Sequence, residues 1–221
     1  MPSRTRTRLL DEAERLFAVR GFEACSIRDL ISAARANLGA VTYHFGSKKG
    51  LLRAVIERRL RPLNEERLRR LEEAEAVAGT GGPELEEILA AAIAPTIRLL
   101  REKPNFMRLI GRLLTTPGGF SSPPPEAKEL LDRFMRAISR AVPGVPTREI
   151  AWRAHFLRGA LIHTWTAAKP LVGTSTEGST LDEGRALVAR LVSFGAAGLR
   201  APLPGSQARR WWGRSDRRTQ P

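Results

Sequence analysis

The chain has 221 residues, of which 42% are hydrophobic and 27% charged, and its formal net charge is +14. This composition is typical of a globular protein of one or two domains and excludes a chain that is disordered throughout. The positive charge indicates an anionic partner, with nucleic acid first and a membrane surface second. The single cysteine, Cys25, excludes an internal disulfide and suits a reducing compartment.

Two features of the sequence predict a cytoplasmic protein with no membrane partner. The first basic residues lead directly into an amphipathic helix beginning at Leu9-Leu10-Asp11-Glu12, which lacks the uninterrupted apolar core of a signal peptide. The longest charge-free apolar stretch, residues 88–97, contains Pro95 and spans about half of the roughly twenty residues that a membrane helix needs.

The first 46 residues predict three short helices. The first has one apolar face and ends at Gly21, a residue favoured just beyond a helix end. Ser26 is positioned to cap a second helix that runs to Ala34. A tight turn, 35–37, then leads to a third short helix, 38–44.

From residue 47 onward the pattern predicts longer helices, and no alternating strand pattern or repeat interrupts them. We expect helices at about 47–60, 62–78, 84–102, 104–115, 125–142, 147–169 and 180–200. Pro62 is tolerated in a first helical turn but not inside a helix, so the pattern predicts a kink or break there. The fold class is therefore all-α, and residues 202–221 are predicted to form a disordered basic tail.

The two helices at 26–44 have the arrangement of a helix-turn-helix. A short helix led by Gly39 and Ala40 can approach the base edges in a major groove about 12 Å wide. Thr42, Tyr43 and His44 offer hydrogen-bond donors at the height of the phosphates. Residues 47–49, Ser-Lys-Lys, open the next helix, so backbone N–H groups and two ammonium groups converge on one anion site.

Residues 9–56 resemble the DNA-binding region of the TetR family of bacterial transcriptional regulators. The resemblance rests on Leu16-Phe17, Gly21-Phe22-Glu23, Ser26-Ile27-Arg28-Asp29-Leu30 and, above all, on Tyr43-His44-Phe45-Gly46-Ser47-Lys48 followed by Leu51-Leu52. It implies phosphate contacts from Ser26, Arg28, Tyr43, His44 and Lys48. It implies that Asn37, Leu38, Gly39, Ala40 and Thr42 face the bases.

The turn departs from this family, which usually has Gly-Val where this chain has Arg35-Ala36. A positive φ at Arg35 would be strained by about 1 kcal/mol. Either the turn is rebuilt, or Arg35 gains a phosphate contact in return.

The rest of the chain resembles a branch of the family that senses fatty acids or their acyl-coenzyme A esters. The similar segments are 61–64, 106–112, 152–160 and 194–200. The resemblance implies a helical body with an apolar pocket, and two late helices that form a four-helix bundle in a homodimer. The candidate ligand contacts are Phe106, Met107, Arg108, Ile110, Trp152 and Phe156.

Alternative interpretations of these residues stay open. The apolar residues are also typical of a core or a dimer interface. Arg108, Arg112, Arg153 and Arg158 lie on otherwise apolar helices and need either acidic side chains or an acidic ligand head group. His155 and His163 share a helix face but lack a third ligand at helical spacing, so we expect no metal and no cofactor.

No catalytic motif is present, which argues against an enzyme. We therefore predict a DNA-binding domain at 1–46 and a ligand-binding and dimerisation domain at 47–201. The predicted function is a homodimeric repressor that binds a palindromic operator and is released by a small apolar or acyl ligand. The alternative is a basic architectural protein that coats DNA without a chosen operator.

Overall fold

The computed structural model describes residues 4–37, 39–115, 125–166 and 181–203, with the backbone alone at 125, 126, 165, 166 and 181. This part of the chain contains nine α-helices, a short 3-10 turn at Gly79–Gly81 and no strand, which confirms the all-α prediction. The helices are α1 (Arg4–Arg20), α2 (Ile27–Ala33), α3 (Ala40–Phe45), α4 (Lys48–Ala78), α5 (Leu85–Glu102), α6 (Pro104–Thr115), α7 (Pro125–Ala141), α8 (Thr147–Thr166) and α9 (Leu181–Arg200).

The second helix begins with a capping box. The backbone N–H of Asp29 donates to Ser26 Oγ at 3.1 Å, and the backbone N–H of Ser26 donates to Asp29 Oδ2 at 2.8 Å. These bonds satisfy donors that a helix start otherwise leaves unpaired. The N-cap predicted at Ser26 is confirmed.

The sequence predicted a kink or a break at Pro62, and a break is wrong, because α4 continues from Lys48 to Ala78 with the proline inside it. Proline removes one backbone donor and strains the preceding turn. Buried side chains nevertheless lie on both sides of it: Val55 before Pro62, and Leu63 and Leu71 after it. Most helical stability in proteins comes from such packing, which here outweighs the local loss.

The buried apolar residues form two clusters that share helix α6. One cluster joins α1, α2, α3 and the start of α4, and it includes Leu109 and Leu113 of α6. The other joins the later helices and includes Phe106, Met107 and Ile110 of the same helix. Neighbouring faces of α6 are thus buried in the two clusters, so a displacement of α6 would alter the packing of both.

Polar contacts also hold α1 against the helices behind it. Arg58 of α4 donates to Asp11 Oδ1 at 2.7 Å and to Glu14 Oε2 at 2.8 Å, and Arg59 donates to Glu14 Oε2 at 3.0 Å. Arg112 of α6 donates to the carbonyl of Val19 at 3.2 Å, near the end of α1.

Among the described residues, no helix is long and apolar enough to cross a bilayer.

Candidate nucleic-acid interface

The third helix, α3, is anchored by one face and exposed on the other. Ala40 and Val41 are buried in the cluster formed with α1, α2 and α4. Thr42 is exposed, and Tyr43 is 84% exposed, which is unusual for so large an aromatic side chain. A hydroxyl and a phenol held outward on a short, fixed helix can donate hydrogen bonds to a large partner such as a nucleic acid.

The fourth helix starts directly beside this exposed face. Ser47 is its N-cap, and Ser47 Oγ accepts from the backbone N–H of Gly50 at 3.0 Å. The positive end of the α4 dipole therefore lies next to the end of α3. Backbone N–H groups at such an end are suited to bind a phosphate.

Gly50 lets α3 and α4 approach closely, and the sequence did not indicate this role. A Cβ added at Gly50 would lie 1.9 Å from the carbonyl oxygen of Phe45, the last residue of α3. Only glycine avoids this backbone contact. The position of a glycine three residues after an N-cap serine was the available signal, but spacing alone does not reveal the distance between two helices.

Lys48 is half-buried and is already held by two contacts within the protein. Its ammonium donates to the carbonyl of Glu23 at 3.3 Å and lies 4.4 Å from the centre of the Phe22 ring. These contacts fix the charge near the start of the helix-turn-helix. An ammonium group has three N–H donors, so Lys48 can bind a phosphate in addition to these contacts.

The turn between α2 and α3 keeps a left-handed residue. Arg35 has a φ of 48° and is the only non-glycine residue with positive φ in the part of the chain described. Its N–H donates to the carbonyl of Ser32 at 3.1 Å, and that of Ala36 donates to Ile31 at 2.9 Å. The turn is thus closed without rebuilding, and Arg35 adopts the strained conformation that the family's glycine would adopt freely.

At the start of α2, on the same surface, a hydrogen bond holds the carboxylate of Asp29. The hydroxyl of Ser26 donates to Asp29 Oδ2 at 2.6 Å. This bond, together with the backbone N–H of Ser26, holds the pKa of Asp29 below its usual value. Asp29 consequently stays ionised near neutral pH, and Arg20 lies 3.8 Å from it.

The structure places most of the predicted DNA contacts on the surface. Ser26, Arg28, Asn37, Gly39, Thr42 and Tyr43 are exposed, and His44 and Lys48 are partly exposed. The expectation that Ala40 faces the bases needs correction, because this residue is 5% exposed and packs inside the cluster. Leu38 lies outside the described residues.

The six predicted ligand contacts do not lie together. Phe106, Met107 and Ile110 are buried in the later-helix cluster. Arg108 is exposed and donates to Asn105 Oδ1 at 3.2 Å. Trp152 and Phe156 of α8 are 51% and 63% exposed, and their ring centres are 5.9 Å apart.

The four arginines that needed partners mostly find neutral ones. Arg153 is buried and binds Glu149 at 2.9 Å, and it also donates to the carbonyls of Leu199 at 2.8 Å and Ala201 at 2.7 Å. Arg112 binds a backbone carbonyl, and Arg158 lies 3.1 Å from His155 Nδ1. Side chains and backbone therefore satisfy these cations without requiring an acidic ligand.

Two family models match the chain. Residues 9–55 match the model described as bacterial regulatory proteins of the tetR family, and residues 90–198 match the tetracyclin repressor-like C-terminal domain. No curated protein is significantly similar in sequence.

Several solved structures share the fold. FadR from Bacillus halodurans, a fatty acid degradation regulator, is 14% identical, with a TM-score of 0.64 over 91% of this chain and 100% of that one. FadR from Bacillus subtilis, solved with stearoyl-CoA, is 15% identical, with a TM-score of 0.61 over 87% and 98%. A TetR-like regulator from Rhodococcus sp. RHA1 is 21% identical, with a TM-score of 0.59 over 90% and 99%. At these identities the likeness shows the fold.

The matched regions place the helix-turn-helix at the start of the chain and the second family domain over most of the helices behind it. The chain belongs to the TetR family of bacterial transcriptional regulators.

Proposed function

We propose that this TetR-family regulator is a homodimeric repressor that binds a palindromic operator and releases it when a small apolar or acyl ligand binds. The observation that carries the proposal is the exposed Thr42–Tyr43 face of α3 beside the capped start of α4. Such a face can enter a major groove while the end of α4 contacts a phosphate.

Within the head, defined as α1 to α3 and the first turns of α4, two kinds of contact are expected. Phosphate contacts come from Ser26, Arg28, Tyr43, His44 and Lys48, and they orient the head without reading sequence. Base contacts come from Thr42 and from the residues around the turn, Asn37, Leu38 and Gly39.

An exposed aromatic surface supports a dimer. Trp152 and Phe156 of α8 and Phe194 of α9 are each at least half exposed, although soluble monomers seldom expose large apolar side chains in groups. Small residues of α9, Ser193 and Ala197, are exposed on the same helix as Phe194 and leave room for a partner's rings. Twofold pairing of this surface would present two identical heads to a palindrome.

The ligand that we propose is suggested by the buried apolar side chains of the later helices. Phe106, Met107 and Ile110 suit an acyl chain, and the B. subtilis neighbour of this fold was solved with stearoyl-CoA. We favour a long-chain fatty acid or its coenzyme A ester. Displacement of α6 by the ligand would move Leu109 and Leu113, which pack against the head. The ligand weakens DNA binding only as far as it prefers the displaced state.

The test is an in vitro selection of genomic fragments by the purified protein, with and without a long-chain acyl-coenzyme A. One palindromic motif that is lost on adding the ligand is the expected result. A motif indifferent to the ligand would refute the acyl effector but keep the operator. Absence of any enriched motif would instead favour the architectural protein, whose specific binding falls short of the roughly thousandfold preference expected of a regulator.

A further inference from the structure

A small basic cleft lies between α4 and α5. Its volume is about 210 Å³. Four of its lining residues are cationic, Arg58, Arg59, Arg98 and Lys103, and one is acidic, Glu102. Such a concentration of positive charge around a concave space indicates an anionic ligand.

Two prolines explain why the helices leave this space. Pro62 of α4 and Pro95 of α5 both line the cleft, each inside its helix. A proline ring is compact and provides no N–H donor, so it neither reaches across the gap nor offers a hydrogen bond within it. The polar chemistry of the cleft therefore comes from the arginine and lysine side chains around the rings.

The cations of the cleft are incompletely neutralised. Among the residues that the structure describes, Arg98 makes only long ion pairs, at 3.7 Å to Glu66 and 3.9 Å to Glu102. Glu66 is already bound by Arg69 and Arg70 at 2.7 and 2.6 Å. Within the described residues, no ion pair or side-chain hydrogen bond engages the ammonium of Lys103. Two of the four cations thus retain donors for a ligand.

Arg58 adds a further unused donor. Its two terminal nitrogens bind α1, but its Nε is buried and has no hydrogen-bond partner among the described residues. Buried donors in native proteins are nearly always paired, so this nitrogen is an exception, and Arg58 is one of the residues that line the cleft. Arginine is the side chain best matched to the oxygens of a phosphate.

We propose that this cleft binds a small phosphate-class anion. The volume is below the roughly 300–1,000 Å³ of sites for drug-sized molecules, so the occupant is a free phosphate or pyrophosphate, or one phosphate group of a larger ligand. Because Arg58 and Arg59 also bind Glu14 of α1, the anion shares its ligands with the contact that holds the head. The proposal depends on neither the operator nor the acyl ligand proposed above.

The test is titration calorimetry of pyrophosphate into the full chain, in a buffer without phosphate and at constant ionic strength. We expect one saturable site per chain with a dissociation constant of about 1 mM or lower. The double variant Arg98→Gln/Lys103→Gln should weaken binding about a hundredfold, because each of the two lost charged hydrogen bonds is worth roughly tenfold. A matched control, Lys128→Gln/Arg140→Gln on α7, removes the same charge elsewhere and should bind as the wild type does.

A second arm identifies the source of the phosphate. If the larger ligand is the occupant, free coenzyme A competes with pyrophosphate, and the Arg98→Gln/Lys103→Gln variant weakens both. If only pyrophosphate responds, the cleft holds the free anion. Thermal unfolding of each variant checks that the fold is kept. The proposal is overturned if no saturable binding occurs, or if the cleft variant and the α7 control bind alike.

Discussion

Glu14 of α1 accepts a hydrogen bond from Arg59 Nε of α4 at 3.0 Å, although 45 residues separate the two in sequence. Glu14 is 7% exposed, and Arg58 donates to the same oxygen, Oε2, at 2.8 Å. One buried anion therefore holds two cations of α4 against α1, next to the apolar cluster that the two helices share. This contact joins the head to the helix on which it is mounted.

Glu14→Gln should lower the free energy of unfolding by about 2–3 kcal/mol, because it removes the charge that balances two partly buried guanidinium groups. Chemical denaturation measures this directly. The control is Glu12→Gln, which removes a carboxylate that pairs with the exposed Arg15. That pair should contribute less than about 1 kcal/mol. Equal effects of the two substitutions would show that the Glu14 contact is no more than a surface pair.

Gly50→Ala should displace α3 from α4, because the new methyl group would overlap the carbonyl oxygen of Phe45. We expect a loss of about 1–3 kcal/mol in stability together with a loss of operator affinity. Gly39→Ala is the control for stability, since a Cβ at that position would meet no described residue within 4 Å other than its chain neighbours. If Gly50→Ala unfolds at the same temperature as the wild type, the close approach of the helices is not required.

Lys48 and Thr42 test the two classes of DNA contact. Lys48→Ala should weaken binding to all sequences about equally and make the log–log salt dependence shallower by about two per dimer, whereas Thr42→Ala should change sequence preference. The wild type should show a slope of about −4 to −7, from about four to eight cationic contacts. Binding measured on specific and scrambled duplexes at several salt concentrations gives both results. The reverse pattern would exchange the two roles.

The sequence predicted local features well because their causes are local. The Ser26 cap and the end of α1 at Gly21 each depend on a few neighbouring residues. The continuous α4 was missed because propensity weighs Pro62 alone, whereas the packing of Leu63 and Leu71 involves residues distant in the chain. The burial of Ala40 was missed for the same reason.

Contacts between helices could not be predicted from the sequence. Nothing in the spacing of Glu14, Arg58 and Arg59 indicates that they meet, since charged residues on a helix usually face solvent. The position of Trp152 and Phe156 on the surface likewise depends on which face of α8 packs inward. A similar segment in a related family implies a role for a residue but does not fix the face on which it lies.

The lowered pKa of Asp29 predicts that the stability of the fold depends on pH in the acid range. Because its folded pKa is lowered by the Ser26 hydroxyl and N–H, its stabilising contribution is present above the usual aspartate pKa of about 4 and is lost as the pH falls through the lowered value. Asp29→Asn should remove this part of the pH dependence. Unfolding midpoints of both proteins, measured between neutral and strongly acidic pH, should converge as the pH falls. A constant difference across that range would contradict the assignment.

Substitutions at Arg35 can distinguish an effect on folding from an effect on DNA binding, because this residue has both a strained backbone and an exposed positive charge. Arg35→Gly should relieve the positive φ and raise the unfolding free energy by about 0.5–1 kcal/mol. If the guanidinium contacts a phosphate, the same variant should bind the operator more weakly and with a shallower salt slope, while Arg35→Lys should retain much of the binding and all of the strain. We expect this opposition of gained stability and lost affinity. Gained stability at unchanged affinity would show that the arginine in this turn has no role at the DNA.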